Sequence, residues 1–134
     1  DTSNQKRMAN VDSLLVMLSK IEQEQLFGDS DVLLVGDYNC YAQEQPVQTL
    51  VQAGYEDMLM RFDASGYTYV YHSEAGSLDR VFASPTMVPQ VQQVVVYHLN
   101  ADYFYSRGYK RVLDNTMFRY ADHDPILISI KLKR

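Results

Sequence analysis

The 134-residue chain has no tryptophan, a single cysteine, four prolines and few cations. Each shortage removes an option. Cys40, being alone, cannot form an internal disulfide, and a cysteine-based zinc site is out of reach. Nothing near it argues for an activated nucleophile, so a small buried or half-buried residue is expected there. No stretch approaches the roughly 18 consecutive apolar residues of a membrane-crossing helix, which predicts no membrane insertion. Asp1 to Asn10 is polar, unlike a signal peptide. The chain lacks an initiator methionine and reads as a processed or excised piece, so the missing signal says little about a parent protein. Lys and Arg number 12 against 17 Asp and Glu, a net charge of −5. Passive nucleic-acid binders are usually basic, so that class is disfavoured. A metal-dependent enzyme acting on phosphates is not, because bound cations offset its carboxylates.

What is present suits one domain with a real core: 46% of residues are hydrophobic. Met8, Val11, Leu14, Leu15, Leu18 and Ile21 recur at helical spacing and predict an amphipathic helix from about Asn4 to Gln25, with Thr2 or Ser3 as its cap. Gly28 to Asp31 is a turn, and Val32 to Val35 a buried strand. Pro46 suits the first turn of a short helix over Val47 to Ala53, which Gly54 ends. Tyr55 to Leu59 is ambiguous. Tyr67 to His72 reads as a strand, Ser73 to Ser77 as a hairpin connection, and Leu78 to Ala83 as the returning strand. Val91 to Leu99 is a further strand. Asn100 to Tyr120 is a long, tyrosine-rich loop of the kind that is functional or mobile. Ile126 to Leu132 is the last strand. With no repeat or linker, residues 1–134 read as one mixed α/β unit.

Polar groups flank three of these strands. Gly36 breaks the first, and Asp37 and Asn39 follow two positions apart. In extended backbone such residues face the same side, so they can share a pocket at a strand end, where open α/β folds place ligands. The alternative is an ordinary surface turn. Asp79 opens a strand with apolar neighbours, and a half-buried carboxylate there needs a donor; a histidine N–H would serve. Arg80 points to the opposite face and does not pair with it. In Asp122-His123-Asp124-Pro125, the proline biases Asp124 toward extended backbone. His123, an imidazole able to exchange or share protons, stands between two carboxylates at the lip of the last strand. Taken alone, it reads first as a solvated turn residue. His72 and His98 fall in strand-like runs and read as ordinary sheet residues.

In order, Gly36-Asp37-Tyr38-Asn39, Ser77-Leu78-Asp79-Arg80-Val81-Phe82 and Ala121-Asp122-His123-Asp124-Pro125 resemble the three C-terminal motifs of the endonuclease/exonuclease/phosphatase superfamily, whose fold is that of pancreatic deoxyribonuclease. The segment from Tyr69 to Asp102, with its His98-Leu99-Asn100-Ala101-Asp102 run, is similar to the bacterial secreted nucleases of that superfamily. The resemblance implies the C-terminal half of a four-layer α/β/β/α sandwich (an α+β fold, mixed or antiparallel sheet, flanking helices). It implies hydrolysis of phosphodiesters, DNA first, with Mg²⁺, or Mn²⁺ or Ca²⁺, and a secreted, periplasmic or cell-surface location in a bacterium. Carried over by motif, Asp37 orients or deprotonates the attacking water, Asn39 holds a phosphate oxygen or that water, and His123 stabilises phosphoryl oxygens. Asp79 fixes His123 through its other ring N–H, and Asp122 joins the metal directly or through water.

The N-terminal motifs of the superfamily, among them a metal-binding glutamate, are absent. The resemblance therefore implies a piece that is weak or inactive alone, with an exposed sheet face and edge met by the missing half or by a second copy of the chain. The same motifs serve phosphatases and sphingomyelinases, and a half-domain can also be a non-catalytic binding module. Arg107, Lys110 and Arg111 can meet a nucleic-acid backbone or simply be solvated. The neighbouring Tyr103, Phe104, Tyr105 and Tyr109 can stack on bases or anchor their loop.

Overall fold

The computed structural model describes residues 2–23, 28–103, 118 and 120–132. Strand β5 (Asp79–Ala83) is its centre. It lies in a three-stranded sheet between β1 (Leu33–Asp37) and β2 (Glu56–Asp57), both antiparallel to it. Alternation along a strand sends successive side chains to opposite faces, and β5 buries both. Phe82 packs with Val11, Cys40, Val47 and Leu50 beneath helix α1 (Thr2–Gln23) and helix α2 (Gln45–Gln52). Val81 and Ala83 pack on the other face with Met58 and Leu59 of α3 (Met58–Phe62) and with Val91, Val94 and Val96. Those valines belong to β6 (Val91–Val96), which pairs antiparallel with β7 (Ile126–Ile130). Two sheets thus meet across one apolar layer, with helices behind the first.

The helices start and stop about where local chemistry puts them. α1 begins two residues earlier than the periodicity suggests. Pro46 sits in the first turn of α2, where a missing N–H costs nothing. Gly54 follows the helix at φ 96°, a left-handed position that favours glycine. Cys40 is fully buried, and burial pushes its thiol pKa up. No described helix is long and apolar enough to cross a membrane.

Two expectations change. Glu74 to Gly76 is no mere connection: it is strand β4, paired with β3 (Tyr69–Tyr71). The chain reverses at His72 and Ser73, at φ 50° and 67°. Positive φ at both central residues makes the two-residue turn whose twist matches a hairpin, so β3 pairs with β4 rather than with β5. The histidines also move. His72 lies in that turn, and His98 lies beyond β6, so neither is a sheet residue.

Every strand pair among the described residues is antiparallel. Strand β1 is an edge strand with Val35 59% exposed, and Leu127 on β7 is 53% exposed.

Candidate active site

Antiparallel pairing of β1 with β5 sets Asp37 directly opposite Asp79. Both carboxylates project from the face that carries Leu33, Val81 and Ala83, at the end of the sheet. The third group arrives from the turn before β7: His123 Nδ1 lies 2.7 Å from Asp79 Oδ2. A carboxylate oxygen accepts, so Nδ1 carries the hydrogen and Nε2 is left for other chemistry. Ligand atoms of Asp37, Asp79 and His123 all fall within 4.8 Å of one another. Asp37 is exposed and the other two are half-buried. Clefts beside α1, lined by Ile21, Glu22, Asp29 and Ser30, lie elsewhere. The cluster is an open rim.

Asn39 arrives by a different route from the one expected. Strand β1 ends at Asp37, and Asn39 has φ 50°. The same-side rule for extended backbone therefore does not govern the pair. Asp37 Oδ1 instead accepts the Asn39 backbone N–H at 2.7 Å, a local turn of the kind Asp favours. The turn and the pocket are thus one feature, because that hydrogen bond fixes the carboxylate. Between them, Tyr38 packs edge-on to Phe82 at 5.4 Å. Burial, and then the nearby Asp57 charge, push its phenol up to about 12.

Asp122 is half-buried and lies outside the three-residue cluster, so the metal-spaced group among the described residues differs from the one the resemblance implied. Arg107, Lys110 and Arg111 lie outside the described residues, as do Phe104, Tyr105 and Tyr109. Arg80 does not pair with Asp79, as expected, and instead reaches Asp57 at 2.5 Å.

The residues that hold His123 in place escaped sequence reasoning. Asp124 is buried, and its Oδ1 accepts backbone N–H groups from Leu99, Asn100 and Ala101 at 2.7–3.0 Å. Its Oδ2 meets His98 Nδ1 at 2.9 Å. Asn100 Nδ2 donates to the His123 carbonyl at 2.7 Å. The Asp124 N–H donates to the Thr68 carbonyl, while Thr68 Oγ1 accepts from the Leu78 and Asp79 N–H groups. Buried Thr68 thus ties the strand bearing Asp79 to the turn bearing His123. The signals were present: a carboxylate locked by Pro125, and the His-Leu-Asn-Ala-Asp run. What they needed was a partner far away in the sequence.

Hydrogen bonds to a charged acceptor are about twice as strong as neutral ones. Asp124→Asn is expected to cost about 1–2 kcal/mol in urea denaturation, and to shift the His123 ring signals in NMR spectra. Unchanged stability and unchanged ring signals would show that this clasp does not position His123.

No protein-family model matches the chain, and no curated protein matches it in sequence. Among solved structures it is similar to a 3'-5' exonuclease (NExo) from Neisseria meningitidis, at 20% identity and a TM-score of 0.52. The match covers 86% of this chain and 51% of that one. This chain therefore spans about half the length of the exonuclease and shares with it a mixed α/β fold of small antiparallel sheets.

Proposed function

We propose that this chain is the C-terminal portion of a metal-dependent phosphodiesterase of the deoxyribonuclease-like four-layer sandwich, acting on DNA. One observation carries the reading: the hydrogen bond from His123 Nδ1 to Asp79 Oδ2, with Asp37 beside the pair. The exonuclease likeness supports a nuclease-like hydrolase. The segment from Tyr69 to Asp102, with its His98-Leu99-Asn100-Ala101-Asp102 run, supports the bacterial secreted type, and with it a location outside the cytoplasm.

The donor set suits a hard divalent ion. Mg²⁺ commonly takes one or two carboxylates and completes its shell with water and phosphate oxygens. Asp37 and Asp79 are cross-strand partners, and like charges so placed repel; a cation beside them relieves this. Asp79 is already engaged by His123, so Asp37, with Asp122 as the motif implies, would hold the ion. Bound Mg²⁺, or Mn²⁺ or Ca²⁺, would polarise a phosphoryl oxygen and acidify a water. The protein's own groups do the rest. Asp37 orients a water or takes its proton, and Asn39 holds that water or a phosphate oxygen. His123 presents Nε2 to the phosphoryl oxygens, and Asp79 keeps the ring turned that way. Val35 and Leu127 belong, on this reading, to the surface met by the remainder of such a fold or by a second copy of the chain.

The test is hydrolysis by the chain itself of plasmid DNA, RNA, a phosphomonoester and a phosphatidylinositol phosphate, with Mg²⁺ and with EDTA. The expected result is slow DNA cleavage that needs Mg²⁺ and is lost in Asp37→Asn. Cleavage that persists in Asp37→Asn, or hydrolysis confined to the monoester, would overturn the proposal.

A further inference from the structure

We propose that Tyr67, Tyr69 and Tyr71 form a track on which the bases of an unpaired polynucleotide strand stack beside the candidate site. The inference rests on the phosphodiester reading of that site and adds the form of substrate it takes.

Tyr69 and Tyr71 flank half-buried Val70 on β3, so in extended backbone they project to one side; Tyr67 precedes the strand, next to buried Thr68. Each carries one of the chain's three histidines. Tyr67 stacks on His98 at 4.3 Å, Tyr69 lies 4.8 Å from His123, and Tyr71 lies 4.1 Å from His72. Tyr69 and Tyr71 are nearly parallel, with ring centroids 6.2 Å apart and an 11° angle between their planes. The middle rung is bridged to the site itself, because Tyr69 pairs with His123 in an isolated β-bridge. A phosphate held at Nε2 of His123 therefore has aromatic rings beside it, to which the flanking nucleotides can turn.

Three features favour bases of a single strand. First, every nucleobase has a π-face that aromatic side chains accept whatever the sequence. The outer ring is open, with Tyr71 53% exposed. Second, side chains on one face of a strand repeat every ~6.7 Å, twice the ~3.4 Å rise of a stacked duplex strand. Only a strand drawn out of its stack can place successive bases on successive rungs. Third, Glu74 is the register partner of Tyr71, and its charge turns phosphates away from the outer rung, so the base meets the ring. Tyr67 is pinned from behind, its hydroxyl donating to Asp102 at 2.8 and 2.9 Å. That hydrogen bond also raises the Tyr67 phenol above its usual pKa.

With a net charge of −5, the chain has little of the phosphate attraction that usually dominates such binding. The share due to bases is therefore measurable. The experiment is fluorescence anisotropy of the chain in EDTA, with labelled oligothymidylate, the same strand lacking bases, and the corresponding duplex. Oligothymidylate is expected to bind about tenfold more tightly than the base-less strand, and more tightly than the duplex. Tyr71→Ala should erase the first difference and Tyr71→Phe should retain it, both melting as the unaltered chain does. Equal binding of the two single strands overturns the proposal. So do a preference for duplex, binding of neither strand, and binding of phosphatidylinositol vesicles alone. Equal binding together with Asp37-dependent hydrolysis rejects the track and leaves the site reading intact. A retained base preference together with cleavage that persists in Asp37→Asn, or with hydrolysis confined to the monoester, rejects the site reading and leaves the track.

Discussion

Replacing Asp57 by alanine is expected to destabilise the fold by about 3–5 kcal/mol, enough to leave a domain of ordinary stability near its unfolding threshold. Asp57 acts on two elements at once. Its Oδ1 accepts the Leu59 and Met60 backbone N–H groups at 3.0 and 3.1 Å and caps α3. Its Oδ2 accepts Arg80 Nη1 at 2.5 Å. Arg80 is 2% exposed; its Nη2 reaches the Ser77 carbonyl at 3.0 Å, and its Nε has no partner among the described residues. Without Asp57, a buried guanidinium is left with a single carbonyl. A lost cap alone costs about 1 kcal/mol, so the size of the effect separates the two roles. Asp57→Asn, which keeps an acceptor for the cap, should fall between. The double variant Asp57→Ala/Arg80→Met should recover most of the loss, because a buried pair replaced by apolar groups is often near neutral. A urea midpoint for Asp57→Ala close to that of the unaltered chain would sink this account.

The largest effect on chemistry is expected at His123. If the phosphodiester reading holds, His123→Ala lowers the Mg²⁺-dependent rate by about 10²–10³. Asp79→Asn should lower it by about 10–10², because the ring remains while its orientation loosens. The pair acts as a unit, so the double variant should be little worse than His123→Ala alone. Multiplying effects would mean that the two residues work separately. The 2.7 Å hydrogen bond would then be structural.

The elements legible in the sequence were those that local chemistry decides. The apolar runs before Gly36, through Val94 to Val96 and from Ile126 onward became β1, β6 and β7, and Pro46 and Gly54 bracket α2. Hairpin β3–β4 was not legible. Its turn uses His72 and Ser73 at positive φ, where Asn and Gly are the usual residues, and β4 is short with a charged first residue. β2 and α3 were ambiguous because their anchor, Arg80, lies on another strand. The polar groups of the site were legible one at a time. Their mutual register was not, since the opposition of Asp37 and Asp79 depends on how β1 meets β5. Nor could the positions of Asp124 and Asn100 be read locally, because each earns its place through a partner more than twenty residues away.

The Asp79–His123 hydrogen bond spans 44 positions of sequence, and this bears on how the molecule comes apart. A helix such as α1 is held by contacts four residues long and can persist in a partly folded chain. The dyad exists only while a long loop is closed, and non-local closures form late and open early. Far-UV circular dichroism would follow the helices, whereas the chemistry of His123 would follow this one closure. In any batch of the protein, a normal helical spectrum is therefore no guarantee of an assembled site. The ring resonance of His123 is the better measure of how much of the chain is competent.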